Sequence, residues 1–291
     1  MRFVQPLRNA LGLATKDIQY SGRPPLPHLV ASTIDAARNP NHVREVDHHL
    51  QTLGILKVTL QAPDNQSRYL EHLVLSLHKS HGHGPPITHS STRGWFWDVR
   101  PNLAGMKLQS QEQAARSETM NEFPWHTDCS YEASPPRFFA LHVLQPDQCG
   151  GGTLSVVDVA NLLRLLSPSA LQGLTLPEFL IKVPPEFRKG TTRSIVGCVL
   201  GTNDIGEPIR LRFREDILTP LTARAESSLT ELKHALLQEN SLSTLHLTPK
   251  DLPKGSVILM DNTRWLHGRS PVRDPARHLR RVRWDARPFE K

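Results

Sequence analysis

The sequence predicts a mainly β protein: a sandwich or barrel core with helices packed outside, organised as one domain. Three observations predict it. Short apolar or alternating runs recur along the chain, at the roughly 4–8 residues a strand needs. Glycine- and proline-bearing turns separate them, and helical periodicity is confined to a few segments. No internal repeat, coiled-coil heptad or low-complexity tract competes with this reading. The 291 residues are compatible with a single β-rich unit.

Taken in order, residues 1–33 read as an irregular lead-in, Pro-rich at Pro24, Pro25 and Pro27, ahead of a single domain over 34–291. Val43, Val46, Leu50 and Leu53 recur at helical spacing before a stop at Gly54, and Ile55–Leu60 forms a strand. Asp64 or Asn65 caps a second helix with an apolar face of Leu70, Leu73, Val74 and Leu77. The stretch from His78 to Pro86, with His81 and His83, reads as a flexible turn rather than a metal site. Trp95–Val99 is strand-like, and the polar stretch from Pro101 to Asn121 is a candidate lid. Arg137–Leu144 is a buried strand in which His142 is a satisfied core histidine. A tight turn at Cys149–Thr153 leads into a strand at Leu154–Asp158. A helix at Val159–Leu166 and another starting at Ser167-Pro168 follow. Residues 191–218 supply further strands, including the alternating Ile209–Phe213; Leu229–Leu237 is a helix. Val257–Met260 and Arg277–Trp284 are the last strands.

Composition narrows the function. No apolar run approaches the roughly 18 residues of a membrane span, and mean hydropathy is −0.39. The N-terminal residues lack a sustained apolar segment, and three scattered cysteines (Cys129, Cys149, Cys198) make neither a disulfide framework nor a zinc site. A reducing, cytoplasmic setting is expected. The net charge of +7 comes with no nucleic-acid motif. Many arginines cluster near the C-terminus, where guanidinium groups suit small carboxylates, so a small anionic substrate is expected rather than a nucleic acid or membrane. Oligomeric state is not legible.

The chemistry centres on Phe123-Pro124-Trp125-His126-Thr127-Asp128. In an extended strand His126 and Asp128 point to one face, offering two ligands of a 2-His-1-carboxylate metal site. Among 15 histidines and 28 acidic residues a chance His-x-Asp is expected, so the motif needs a third ligand. His267, 141 positions on, just past a buried strand, is the candidate. On Arg277–Trp284 the period of two puts Arg277, Leu279, Arg281 and Arg283 on one face: a carboxylate pocket, or a solvated edge strand.

Glu122–Asp128, Cys149–Leu154 and Asp261–Arg269, in this order and spacing, resemble the taurine dioxygenase (TauD/TfdA) family of Fe(II)/2-oxoglutarate-dependent dioxygenases. They are also similar to the γ-butyrobetaine hydroxylases. The resemblance covers roughly residues 50–289. It implies a double-stranded β-helix (jelly-roll, cupin-like) core. It further implies Fe(2+), 2-oxoglutarate and O2 as cofactor and co-substrates, and oxidation of an unactivated C–H bond with release of succinate and CO2. The outcome is hydroxylation, or desaturation or cyclisation as in secondary metabolism. By position, His126, Asp128 and His267 match the iron ligands, Thr153 a threonine holding 2-oxoglutarate, and Arg277 the arginine on its distal carboxylate. Arg281 matches the arginine that binds the substrate anion. The interval of 10 residues from His267 to Arg277 is shorter than in relatives, which leaves Arg280 and Arg281 as alternative 2-oxoglutarate partners. Trp97 and Asn121, with Trp95 and Glu118, are candidate pocket residues. Two alternatives remain open from the residues: a zinc-dependent hydrolase on the same His/Asp/His site, and a non-catalytic ligand-binding protein on the same fold.

Overall fold

The computed structural model describes residues 26–88, 94–101, 115–188, 190–203, 205–238 and 244–289. In chain order the strands are β1 (His28–Ala31), β2 (Ile55–Leu60), β3 (Trp97–Val99), β4 (Phe123–His126), β5 (Pro136–Gln145), β6 (Leu154–Asp158), β7 (Phe179–Lys182) and β8 (Ser194–Gly197). They continue as β9 (Leu200–Thr202), β10 (Pro208–Leu211), β11 (Leu218–Pro220), β12 (Leu245–Leu247), β13 (Ser256–Asp261), β14 (Trp265–Arg269) and β15 (His278–Ala286). The α-helices are α1 (Pro40–Thr52), α2 (Arg68–His81), α3 (Val159–Leu163), α4 (Pro168–Leu174) and α5 (Ala223–Leu237).

Two sheets face each other. The major one runs β1-β2-β13-β5-β15-β3 and the minor one β12-β6-β14-β4. Between them lies an apolar interior including Phe139, Leu141, Val143, Leu154, Val156, Ile258 and Leu279. Helices α1 and α2 cover the outer face of the major sheet, burying Val46, Leu50, Leu70 and Leu73 against Phe138, Val257, Val282 and Trp284. Helices α3 to α5 and the small β11-β7-β8 sheet cover the minor one through Val157, Leu266, Leu162, Phe179 and Leu232. This is the expected jelly roll with helices outside.

Local chemistry explains the element starts. Asn39 caps α1, its side chain accepting from Asn41 and His42 amides, with Pro40 at the first turn. Ser167 and Pro168 do the same for α4. Asp64 does cap α2, accepting from the amides of Arg68 and Tyr69, although the residue flanking the helix is Ser67, in left-handed conformation at φ 60°.

Several expectations need correction: the helix read over Leu229–Leu237 starts at Ala223, and the one read to Leu166 ends at Leu163. The lead-in is not irregular to residue 33: past Pro27, His28–Ala31 pairs in parallel with β2. The strand-like aromatic run is shorter than Trp95–Val99, since only Trp97–Val99 pairs with β15. The histidine stretch is not a flexible turn. His78 and His81 belong to the last turn of α2, and His83 is a core residue stacked on Phe138 at 4.8 Å. The indole N–H of Trp284 donates to His83 Nδ1 at 3.0 Å, and His83 Nε2 donates to Asp47 at 2.9 Å. Both His83 ring nitrogens are thus committed within the core. His142 is the satisfied core histidine expected, bonded through Nδ1 to Ser67 Oγ at 2.8 Å. Of the candidate lid, residues 102–114 lie outside those described; the remainder holds a short 3-10 turn at Arg116–Glu118.

Candidate active site

His126 ends β4 and His267 lies on β14 directly opposite it in the antiparallel ladder. Their rings are 4.2 Å apart, centre to centre. Asp128, two residues past His126, brings Oδ1 to 3.9 Å from Nε2 of each histidine. All three side chains are buried, with one ligand atom from each lying within 4.8 Å of the others. His126 Nδ1 donates to the Pro124 carbonyl at 2.8 Å, which leaves Nε2 as the unprotonated nitrogen facing Asp128. Phe123 stacks on the same ring at 3.6 Å and fixes its plane.

The electrostatics favour a metal-ready state. Burial holds His126 well below the ordinary histidine value, helped by His267, and lowers His267 to about 4. Both imidazoles are therefore neutral at pH 7. Burial alone would raise Asp128, but the Arg281 and Arg283 guanidinium groups outweigh it and keep the carboxylate ionised. Two neutral imidazoles and a carboxylate are the ligating forms of a 2-His-1-carboxylate site. Asp128 Oδ2 is buried without a hydrogen-bond partner. An orphaned carboxylate oxygen in a buried triad is what an absent cation leaves behind.

Asn262 fixes the ligand backbone. Its Oδ1 accepts from the Asp128 amide at 2.7 Å, and its Nδ2 donates to the Asp128 and Pro136 carbonyls, both at 2.9 Å. Thr127 is tied to Phe213 in both directions across the neighbouring chain segment.

Inward from the triad a cavity of about 70 Å³ runs between the sheets. Leu141, Val143, Leu154, Leu252, Ile258 and Leu279 make its walls apolar, with Arg277 and Arg269 among the polar groups. Arg277 is buried, and its Nη1 has no hydrogen-bond partner. Burial, then the charge of Arg269, pushes its guanidinium down to about 9, against the pull of Asp147. Arg277 precedes β15 rather than opening it, because its amide closes a turn onto the Asp274 carbonyl. The glycine turn makes room for it: a Cβ on Gly152 would stand 2.8 Å from Arg277 Nε. Asp147 staples that turn to the loop before Arg277, accepting from the amides of Cys149, Gly151, Arg273 and Asp274.

Outward, a smaller chamber against His126 and Asp128 is lined by Arg116, Arg214, Arg281 and Arg283. It shares Cys129, Tyr131, Phe187 and Arg283 with an outer groove of about 510 Å³. Burial pushes the Cys129 thiol up, so it carries no charge there.

The structure brings His126, Asp128, His267, Arg277 and Arg281 together. Arg281 donates to Asp128 Oδ1 at 3.1 Å. Arg280 lies on the opposite face of β15, paired with Asp98 at 2.9 Å, and reaches none of these cavities. Thr153 immediately precedes β6, with its amide bonded to Ser270; Gly152, not Thr153, lines the inner cavity. Trp97 lines the outer groove and packs on Phe187. Asn121 is exposed; its backbone carbonyl, with that of Thr119, accepts from Arg269. Sequence reasoning gave no role to Asn262, Asp147 or Arg269. The Gly-Gly-Gly turn was the available signal for Asp147; Asn262 acts across 134 positions, where no local pattern exists.

A jelly roll that holds a buried His/Asp/His triad at its mouth defines a mononuclear non-haem metal protein of the iron(II) oxygenase type. The chain belongs to the taurine catabolism dioxygenase TauD, TfdA family, whose profile matches residues 22–283. L-asparagine oxygenase of Streptomyces coelicolor is 30% identical over 147 residues, a match covering 50% of this chain and 41% of that protein's length. In fold the chain resembles asparagine oxygenase solved with Fe(II), 3-hydroxyasparagine and succinate. The TM-score there is 0.66 at 20% identity, over 88% of this chain and 84% of that one. The non-haem iron oxygenase OrfP with Fe and α-ketoglutaric acid gives 0.64 at 18% identity, over 85% and 80%. Among the described residues, no helix is long and apolar enough to cross a membrane.

Proposed function

We propose that this protein is an Fe(II)/2-oxoglutarate-dependent oxygenase that oxidises an unactivated C–H bond of a small anionic substrate. The observation that carries it is the pairing of a buried triad with an apolar-walled cavity furnished with Arg277. His126, Asp128 and His267 would hold the metal. Iron bound there supplies the activation of dioxygen coupled to decarboxylation of 2-oxoglutarate to succinate and CO2. The asparagine oxygenase and OrfP structures hold iron together with succinate or α-ketoglutaric acid, which supports the same co-substrate here.

The chain's own groups do the positioning. Arg277 receives the far carboxylate of 2-oxoglutarate with a guanidinium whose Nη1 is otherwise unpartnered. Leucine, valine and isoleucine walls exclude water around the aliphatic middle of the molecule. Asn262 holds the Asp128 backbone, and the Pro124 carbonyl holds the His126 tautomer, so the ligand set is oriented before anything binds. Arg281 stands between inner and outer chambers, where it meets the substrate's anionic group. A zinc hydrolase would leave the arginine-bearing inner cavity without a use.

The test is oxygen-dependent succinate release from 2-oxoglutarate by the iron-loaded protein. Asp128→Ala and His126→Ala should abolish it with circular dichroism unchanged. Undiminished turnover in either variant refutes the assignment.

A further inference from the structure

We propose that Arg269 is a second arm of the co-substrate site: the far carboxylate of 2-oxoglutarate is held between the guanidinium groups of Arg277 and Arg269, in the role the family resemblance gives to Thr153. This rests on the function proposed above and adds a residue to that same site.

The register of β14 brings Arg269 to the inner cavity. It lies two residues past His267, about 6.8 Å along the strand and on the same face, and both residues line the cavity. Against β6 the pairing is regular, with His267 opposite Val156 and Arg269 opposite Leu154. The ladder runs on beyond the strand ends: the Ser270 amide donates to the Thr153 carbonyl at 3.0 Å, and the Gly152 amide to the Pro271 carbonyl at 2.9 Å. Arg277 reaches the cavity over that same Gly152, where a Cβ would crowd its Nε. The two arginines thus arrive at one corner of the cavity, and the charge of Arg269 acts, after burial, to lower Arg277.

Hydrogen bonding leaves both side chains with donors to spare. Arg269 spends Nη2 on the carbonyls of Thr119 and Asn121, while its buried Nε has no partner. Arg277 Nη1 likewise has none. Among the described residues neither guanidinium is paired with a carboxylate. Asp147, whose charge reaches Arg277, commits both oxygens to the backbone amides of Cys149, Gly151, Arg273 and Asp274. Arg281, the third guanidinium of the cavity, donates to Asp128 at the triad. Two buried cations side by side repel each other, a cost that an anion between them offsets. A carboxylate has two oxygens, one for each unspent N–H. Thr153 lies outside the cavity lining, its amide and carbonyl both taken by Ser270.

The experiment is anaerobic calorimetric titration of the Fe(II)-loaded protein with two 2-oxo acids that share the chelating end. 2-Oxoglutarate carries the far carboxylate; 2-oxopentanoate carries a methyl group in its place. The wild type should prefer 2-oxoglutarate. Arg269→Gln, whose amide can still donate to a carbonyl, should weaken 2-oxoglutarate by about tenfold or more, the worth of one charge-assisted bond, and leave 2-oxopentanoate as it was. Arg269→Lys, which keeps the charge but loses the Nε donor, should fall between the two, and it carries the test if the glutamine variant does not fold. An equal loss for both acids, the mark of a residue that only anchors Thr119 and Asn121, overturns the proposal. So does an unchanged preference for 2-oxoglutarate in either variant. A wild type that binds 2-oxoglutarate no better than 2-oxopentanoate, or not at all, overturns the co-substrate assignment beneath it as well.

Discussion

Replacing Arg277 by methionine should make the ligand-free protein more stable and abolish its response to 2-oxoglutarate. Arg277 is a cation in an apolar cavity, its Nη1 unpartnered and its guanidinium pushed down to about 9, first by burial and then by Arg269. A base whose folded value is lowered costs stability wherever it stays protonated. The penalty is therefore complete at pH 7 and is relieved only as pH rises past about 9. Exchanging a buried charge that lacks a good partner for an apolar side chain of similar length gains about 1–4 kcal/mol. For a chain of this size that is a rise in Tm of about 2–7 °C. In the wild type, 2-oxoglutarate at about 100 times its Kd should add about 2.7 kcal/mol by mass action. Arg277→Met should show none of that addition. Thermal unfolding with and without 2-oxoglutarate, in the presence of Mn(II) to fill the triad without turnover, measures both effects. A variant that is less stable than wild type without ligand, yet still stabilised by 2-oxoglutarate, would refute the reasoning.

Three other outcomes follow from the same geometry. Arg280→Ala should leave the concentration of 2-oxoglutarate needed for half-maximal turnover unchanged, because its guanidinium is paired with Asp98 on the far face of β15; a rise of an order of magnitude would show that the register of the arginine strand is misassigned. Asn262→Ala orphans the Asp128 amide and two carbonyls, so urea unfolding should show a loss of about 2–4 kcal/mol. Metal affinity, read by equilibrium dialysis, should fall with it. The metal-free protein should lose stability as pH falls from about 6.5 toward 4, because His142 and His267 are both lowered to about 4 by burial and stay neutral in the fold while the unfolded chain takes up protons. Each contributes a slope of up to about 1.4 kcal/mol per pH unit in that window, and denaturant titrations at stepped pH check it.

A sandwich or barrel core was legible because its strands are short and bounded by turn residues, and because strands such as Ile55–Leu60 and Leu154–Asp158 carry their own signal, whereas the jelly-roll topology came only with the family resemblance. The triad was legible through the two-residue spacing of His126 and Asp128 and the position of His267 after a buried strand. What escaped shares one cause. His83 lies among Gly82, Gly84 and Pro85, which dictate a turn locally, but its burial is set by Trp284, 201 positions away. Asn262 was in plain sight inside a quoted motif, yet its role depends on three contacts across the sheets. Trp97 and Asn121 were picked as neighbours of the motif in sequence. Neighbourhood along the chain does not say which face of a strand or loop meets the chamber, and the structure sends one to the outer groove and the other to solvent.

The last strand has a property that reaches beyond binding. Along β15 the inward side chains, Leu279, Arg281 and Arg283, alternate with Val282 and Trp284, which are packed under the helices. A slip of one residue in pairing with β5 would drive guanidinium groups into the helix-covered core and swing the Trp284 indole into the chamber. An arginine driven to the place of Val282 or Trp284 would then be a charge buried among apolar side chains. The charges that line the chamber therefore also favour one register of the barrel, and variants that neutralise Arg281 and Arg283 together should fold through more heterogeneous intermediates even where the native state survives.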